Sequence, residues 1–173
     1  LSPDRKTIRA IVGFTFSRHG GDPENWYSLA CSFNEAATLI NAHSKGSTSA
    51  PYHYNAALSI ELMLKAITLS KGQSLQENHN LIGQAKNSGI NFTDDQLCTL
   101  ELFSEVIIWS GRYPRPKSEE FWDKYYDEIL EKHIIREAFR TSINRNRFPI
   151  FENYQKIWEK CEDVYKSAQS GAT

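Results

Sequence analysis

Residues 52–71 constrain the fold more than any other stretch of this chain. Ala56, Ala57, Leu58, Ile60, Leu62, Met63, Leu64, Ala66, Ile67 and Leu69 fall on nearly every side of a helical wheel. A helix that is apolar all round must be surrounded by protein, so other helices have to enclose it. Lys71-Gly72 ends it with a basic last turn and a glycine stop. At 173 residues the chain suffices for one domain with a sizeable core and is short for two.

The enclosing segments are legible from their caps and spacing. Asp22-Pro23 is an N-cap followed by proline at the first helical position. Trp26, Leu29, Ala30, Phe33, Ala37 and Ile40 follow at spacings of three and four. Residues 44–51 read as a loop. A short helix is expected from His79 to about Asn87, closed by Ser88-Gly89. Thr93 and Gln96 form a capping box opening a longer helix with Leu97, Leu100, Phe103, Val106, Ile107 and Trp109.

Ser118 opens the next helix. Residues 118–131 carry six acidic side chains and only Lys124, whereas residues 132–147 carry five basic ones and only Glu137. That order suits a helix dipole, and the pairs Glu120–Lys124 and Glu128–Lys132 would support a continued helix. From Pro149 onward, Ile150, Tyr154, Ile157, Trp158, Cys161 and Tyr165 share one face. The expectation is an all-α, up-and-down bundle over residues 22–168, with about five to six helices around the buried helix 52–71. Residues 169–173 are expected to form a disordered tail. Residues 1–21 stand apart: Ile8, Ala10, Val12, Phe14 and Phe16 alternate with other residues in a period of two, which predicts an extended segment.

Composition excludes several classes. A formal charge of −1 gives no global attraction to nucleic acid, so such binding needs a local patch. No apolar run approaches the roughly 18 residues of a membrane span, and no signal peptide is visible. Cys31, Cys98 and Cys161 are far apart and odd in number, which predicts free thiols on apolar helix stripes and suits a reducing cytoplasm. The histidines lack metal-ligand spacing, so neither zinc nor another cofactor is expected.

Three constellations are candidates for function. Glu61 and Lys65 sit one turn apart on the helix that should be dry, where a charge must be paired. They form either a buried salt bridge fixing the packing or a cleft wall in which Lys65 holds a phosphate or acidic ligand. His53 and His79 each open a helix, where histidine caps, packs or serves a site. Arg112, Tyr113 and Arg115 lie on a proline-stiffened loop suited to presenting guanidinium forks to phosphate. The competing reading of the loop has Arg112 reaching back to a carboxylate such as Glu61 or Glu105. Trp26, Trp109, Trp122 and Trp158 recur at helical spacing and read as core or interface.

The helix Asn55-Ala56-Ala57-Leu58-Ser59-Ile60-Glu61-Leu62-Met63-Leu64-Lys65-Ala66, the start His79-Asn80-Leu81 and the closing Gly111-Arg112-Tyr113-Pro114 together resemble the HEPN superfamily. These are small helical bundles of prokaryotic toxin, defence and RNA-processing systems. The resemblance covers about residues 24–115 and implies an up-and-down bundle that often forms a homodimer. It also implies RNA as substrate or ligand. The expectation built on it is a domain that binds RNA or a nucleotide through Glu61, Lys65, His79, Arg112, Tyr113 and Arg115, with Lys65, His79 and Arg112 near the working cleft. Many members cut RNA without a metal, using an arginine and a histidine separated by four to six residues. The arginine stabilises the charged transition state and the histidine moves the proton. None of the nine arginines here has a histidine at that distance downstream. The expectation is therefore a binding or regulatory domain without the standard nuclease centre. A ribonuclease with a displaced Arg/His site and a protein-interaction scaffold are the alternatives.

Overall fold

The computed structural model describes residues 4–44 and 49–170. Among them the chain forms a helical bundle with one small hairpin at its edge. Two short helices, α1 (Arg5–Ile11) and α2 (Phe16–Gly21), precede the long α3 (Pro23–His43). The central helix α4 spans Ala50–Ser70, followed by α5 (Leu81–Ser88) and α6 (Asp94–Glu105). A π-helical turn, Val106–Ser110, continues α6. Helix α7 (Glu119–Lys124) runs on through a π-helical turn (Tyr125–Ile129) and a 3-10 turn (Leu130–His133) into β1 (Ile134–Glu137) and β2 (Arg140–Ile143). Helix α8 (Phe151–Ser170) closes the chain.

Twelve of the 21 residues of α4 are buried, so the enclosed helix stands as its composition requires. Its start is two residues earlier than the apolar run suggested, because Ser49 caps it by accepting from the Tyr52 N–H. Residues 45–48 of the expected loop lie outside the described residues. Helices α3, α8, α5 and α6 pack around α4. Ala56, Ile60, Met63, Leu64 and Ile67 are wholly buried. Each large aliphatic side chain among them contributes about 1.5–3 kcal/mol of hydrophobic stabilisation. One polar knot joins three helices: the Tyr154 hydroxyl of α8 donates to Asn34 Oδ1 of α3 at 2.5 Å and lies 2.9 Å from Ser59 Oγ of α4.

Two expectations are corrected. The extended segment expected within residues 1–21 is helical where it is described, from Arg5 to Ile11 and from Phe16 to Gly21. Asp4 caps α1 by accepting from the N–H groups of Lys6 and Thr7, and Ile8, Ile11 and Val12 fall on one helical face. A lone strand there would have left its backbone groups unpaired. The second correction concerns residues 118–147, where no single helix continues. β-Branched Ile134, Ile135, Thr141 and Ile143 favour paired strands, with Ile134 opposite Ile143 and Glu137 opposite Arg140. Lys132 consequently leaves Glu128 and pairs with Glu101 of α6 at 2.7 Å. At the other end, Gln169 and Ser170 of the expected tail belong to α8, and residues 171–173 lie outside the described residues.

Candidate functional site

One strip of α4 escapes enclosure. Tyr54, Leu58 and Lys65 are partly exposed on a single face, with buried Glu61 between them. Positions 54, 58, 61 and 65 follow the i, i+4, i+7, i+11 spacing that places side chains in one row. The row runs about 16 Å along the helix.

At its C-terminal end three sequence candidates meet. Glu61 is buried, its side chain 2% exposed, and accepts from Lys65 Nζ at 2.7 Å. His79, carried just ahead of α5, brings Nδ1 to 3.0 and 3.1 Å from the two Glu61 oxygens. Asn80 fixes that approach by capping α5, its side chain accepting from the Gly83 N–H. The carboxylate therefore has both the cation and the hydrogen bonds that a buried charge needs. The Lys65 ammonium also lies 5.4 Å from the centre of the Trp26 ring. Its side chain is 14% exposed and that of His79 50%. For a neutral His79, donation to Glu61 selects the Nδ1–H tautomer. Nε2 then carries a lone pair on a half-exposed ring, and it has no hydrogen-bond partner among the described residues. A carboxylate holding an imidazole this way supports proton abstraction, or hydrogen bonding to a ligand hydroxyl.

The other end of the strip holds Arg112. The π-helical turn and Gly111 bring the loop directly onto α4. A Cβ at Gly111 would lie 2.8 Å from the Val106 carbonyl oxygen and 3.0 Å from Tyr54 Cδ2, so only glycine permits this approach. The Arg112 guanidinium then sits 5.9 Å from the Tyr54 ring centre and 5.3 Å from that of Tyr113, donating from Nη2 to the Ile108 carbonyl. It does not reach back to Glu61 or Glu105. Glu105 accepts from Trp109 Nε1 at 2.8 Å instead. Among the described residues, Arg112 has no carboxylate within ion-pair distance.

Glu61, Lys65 and His79 are thus in contact, and Arg112 and Tyr113 stand two turns away along the same face of α4. Arg115 lies elsewhere, in an open hollow with Glu119 and Trp122. His53 is also outside the strip: its ring packs against Tyr52 and Phe148, and burial pushes its pKa down to about 4. Two contributors escaped the sequence reading. Trp26, expected as core or interface, covers Lys65, and Tyr54 supports Arg112. The row spacing of 54, 58, 61 and 65 could have found Tyr54. Nothing local in the sequence marks Trp26, whose contact with Lys65 is made by tertiary packing.

The cysteines are unpaired, and burial raises the thiol pKa of each. Among the described residues no group of three or more His, Cys, Asp or Glu is placed to hold a metal ion. Nor, among those residues, is any helix long and apolar enough to cross a membrane. Comparison with protein-family models, curated proteins and solved structures returned no match.

Proposed function

We propose that the open strip of α4 binds a phosphate-bearing ligand with an aromatic base, either single-stranded RNA or a nucleotide. The observation that carries this reading is Arg112, an unneutralised guanidinium held over Tyr54 and Tyr113. Cations interleaved with exposed rings suit a phosphate backbone whose bases stack. With neutral His79, the Glu61–Lys65–His79 group carries no net charge, so attraction for phosphate falls mainly to Arg112. The HEPN resemblance supports the same class of ligand, and with it a homodimer serving a prokaryotic defence or toxin system. Free thiols agree with a reducing cytoplasm.

The test is fluorescence anisotropy with a labelled RNA pool and with labelled nucleotide, in EDTA, on wild type and Arg112→Ala. A loss of at least about tenfold in affinity, with unchanged thermal unfolding, is the expected result. Equal affinity in the two proteins removes Arg112 and this reading with it.

A second reading rests on His79. Its Nε2 is available to take a proton from a ribose 2′-hydroxyl, as a metal-independent ribonuclease with a displaced centre requires. In the same samples that activity would appear as cleavage lost in both His79→Ala and Arg112→Ala. Retention of intact RNA supports the binding module alone.

A further inference from the structure

Between α5, α6 and α7 lies a hollow of about 240 Å³ that the strip on α4 does not use. Both π-helical turns contribute to it: Ile108 comes from the first, Tyr125 and Ile129 from the second. Such turns interrupt the regular helical spacing and recur at functional sites. Ile82 of α5 and Phe121 of α7 complete the apolar lining. Ile129 is buried, whereas Ile108 is 46% and Phe121 58% exposed, so large apolar side chains are left open here.

The polar side chains of the hollow divide into those already satisfied and those not. The Ser104 hydroxyl donates to the Leu100 carbonyl and accepts from the Leu81 N–H. Asn80 caps α5. Glu101 is neutralised by Lys132 at 2.7 Å. Glu105 and Lys124 remain. The Glu105 carboxylate accepts the neutral Trp109 indole N–H at Oε2. Neither Glu105 nor Lys124 has an opposite charge within ion-pair distance among the described residues. The Glu120–Lys124 pair suggested by the sequence is not formed. Glu120 lines a separate open hollow with Asp123 and Glu128, and Lys124 is the one side chain that the two hollows share.

One carboxylate and one ammonium, each without a counterion among the described residues, thus border the same apolar space. With Glu101 neutralised, the hollow carries no net charge. A nucleotide would bring several negative charges to a single lysine. A simple amine or a simple carboxylic acid would answer one of the two charges and not the other, whereas a zwitterion with an apolar body answers both. The space equals that of about eight water molecules, the scale of one amino acid. We infer that this hollow binds a free α-amino acid with a branched aliphatic or aromatic side chain. Its ammonium meets Glu105, its carboxylate meets Lys124, and its side chain lies against Ile108, Phe121 and Ile129. The site is separate from the α4 strip and stands whether or not Arg112 binds phosphate.

The experiment is an NMR titration of the full chain with L-leucine, L-phenylalanine, glycine, N-acetyl-L-leucine and L-leucinamide. L-Leucine or L-phenylalanine is expected to bind at least about tenfold more tightly than glycine, which lacks the apolar side chain. Blocking either ligand charge should also cost at least about tenfold, since acetylation removes the ammonium and amidation the carboxylate. Glu105→Gln keeps an acceptor for Trp109, and Lys124→Gln changes an exposed position, so the same spectra should show both variants folded. Glu105→Gln is expected to weaken L-leucine and L-leucinamide but not N-acetyl-L-leucine. Lys124→Gln is expected to weaken L-leucine and N-acetyl-L-leucine but not L-leucinamide. A misfolded variant cannot produce that crossed pattern. The inference is overturned if neither amino acid binds wild type at concentrations up to about 10 mM, or if glycine binds as well as they do. Folded variants that weaken every ligand by one factor overturn it too. So does N-acetyl-L-leucinamide binding as tightly as L-leucine, since the hollow would then take a side chain of a peptide or protein partner.

Discussion

Two ionisable groups on α4, the half-buried His53 and the buried Glu61, have solved the same problem in opposite ways. Glu61 keeps a charge inside the bundle because Lys65 and His79 both approach its carboxylate. His53 gives its charge up. Its ring shares Phe148 with His133, wholly buried below the hairpin, and burial lowers the pKa of both. Nε2 of His53 and both ring nitrogens of His133 are buried without a hydrogen-bond partner among the described residues. The carbonyls of Pro149 and Arg147 offset only part of that desolvation. The contrast shows that burial alone does not decide whether a group is ionised inside this fold; the partners delivered by neighbouring elements do.

The largest effect should come from breaking the satisfied cluster. Glu61→Ala leaves Lys65 largely buried with no carboxylate, a loss of about 3–5 kcal/mol by urea unfolding. Glu61→Leu combined with Lys65→Met removes both charges and should recover most of that loss, since an apolar pair of similar volume suits a dry site. A single-variant loss below about 1 kcal/mol would mean that water reaches the pair and that the strip is more open than its geometry implies.

Acid should instead find the histidine seam. Because the folded-state pKa of His53 is depressed to about 4, the unfolded chain binds its proton first as pH falls below about 6.5. Its contribution is therefore fully present above neutrality and is lost as pH drops toward 4, on the order of 1 kcal/mol per pH unit. His133, shifted the same way, steepens the slope. Replacing either histidine with phenylalanine should flatten the dependence of the urea midpoint between pH 7 and 4.5, and the two effects should add. A wild-type midpoint that stays level over that range would place a compensating partner beside these rings.

The same contrast explains what could be read from the sequence. Glu61 and Lys65 announce themselves because they interrupt an otherwise apolar helix, and the one-turn spacing fixes their contact before any fold is known. Their meeting with His79 depends on how α5 docks, yet the cap at Asn80 places that histidine at a helix entrance in either view. His133 gave no such warning. The charge order places it within a continuing helix, whereas the chain turns there into a hairpin whose strands and following segment bury it. Charge order along 118–147 mimicked a helix dipole, and the β-branched residues that pair Ile134 with Ile143 outweighed it. The N-terminal alternation misled for a related reason. A period of two is weak evidence in a segment that buries nothing, and the cap at Asp4 was the better signal.

A smaller effect tests how the two ends of the strip are coupled. Gly111→Ala adds a methyl group where the Val106 carbonyl, the Val106 side chain and the Tyr54 ring already crowd the backbone. The expected cost is about 1–3 kcal/mol as the loop backs away from α4. Binding through Arg112 should fall with it, while the Glu61–His79 contact, two turns distant, is left intact. That division is visible as a lost ligand response with unchanged His79 ring signals in the NMR spectrum. A coupled change in His79 would show that the strip moves as one body.

The smallest effect on stability, and the most telling for function, belongs to Arg112→Lys. The side chain is exposed, without an ion pair among the described residues, and bonded only to the Ile108 carbonyl in the π-helical turn before the loop. Replacing it should therefore change unfolding by less than about 0.5 kcal/mol. Lysine preserves the charge but not the flat guanidinium that lies against Tyr54 and Tyr113, nor the fork that grips two phosphate oxygens. If Arg112 acts as a stacked phosphate clamp, lysine should lose most of the affinity that alanine loses, and the deficit should persist when salt is raised. If the site senses only positive charge, lysine should restore binding at low salt. The residue would then be an electrostatic guide, and recognition would pass to the Lys65–Glu61–His79 end of the strip.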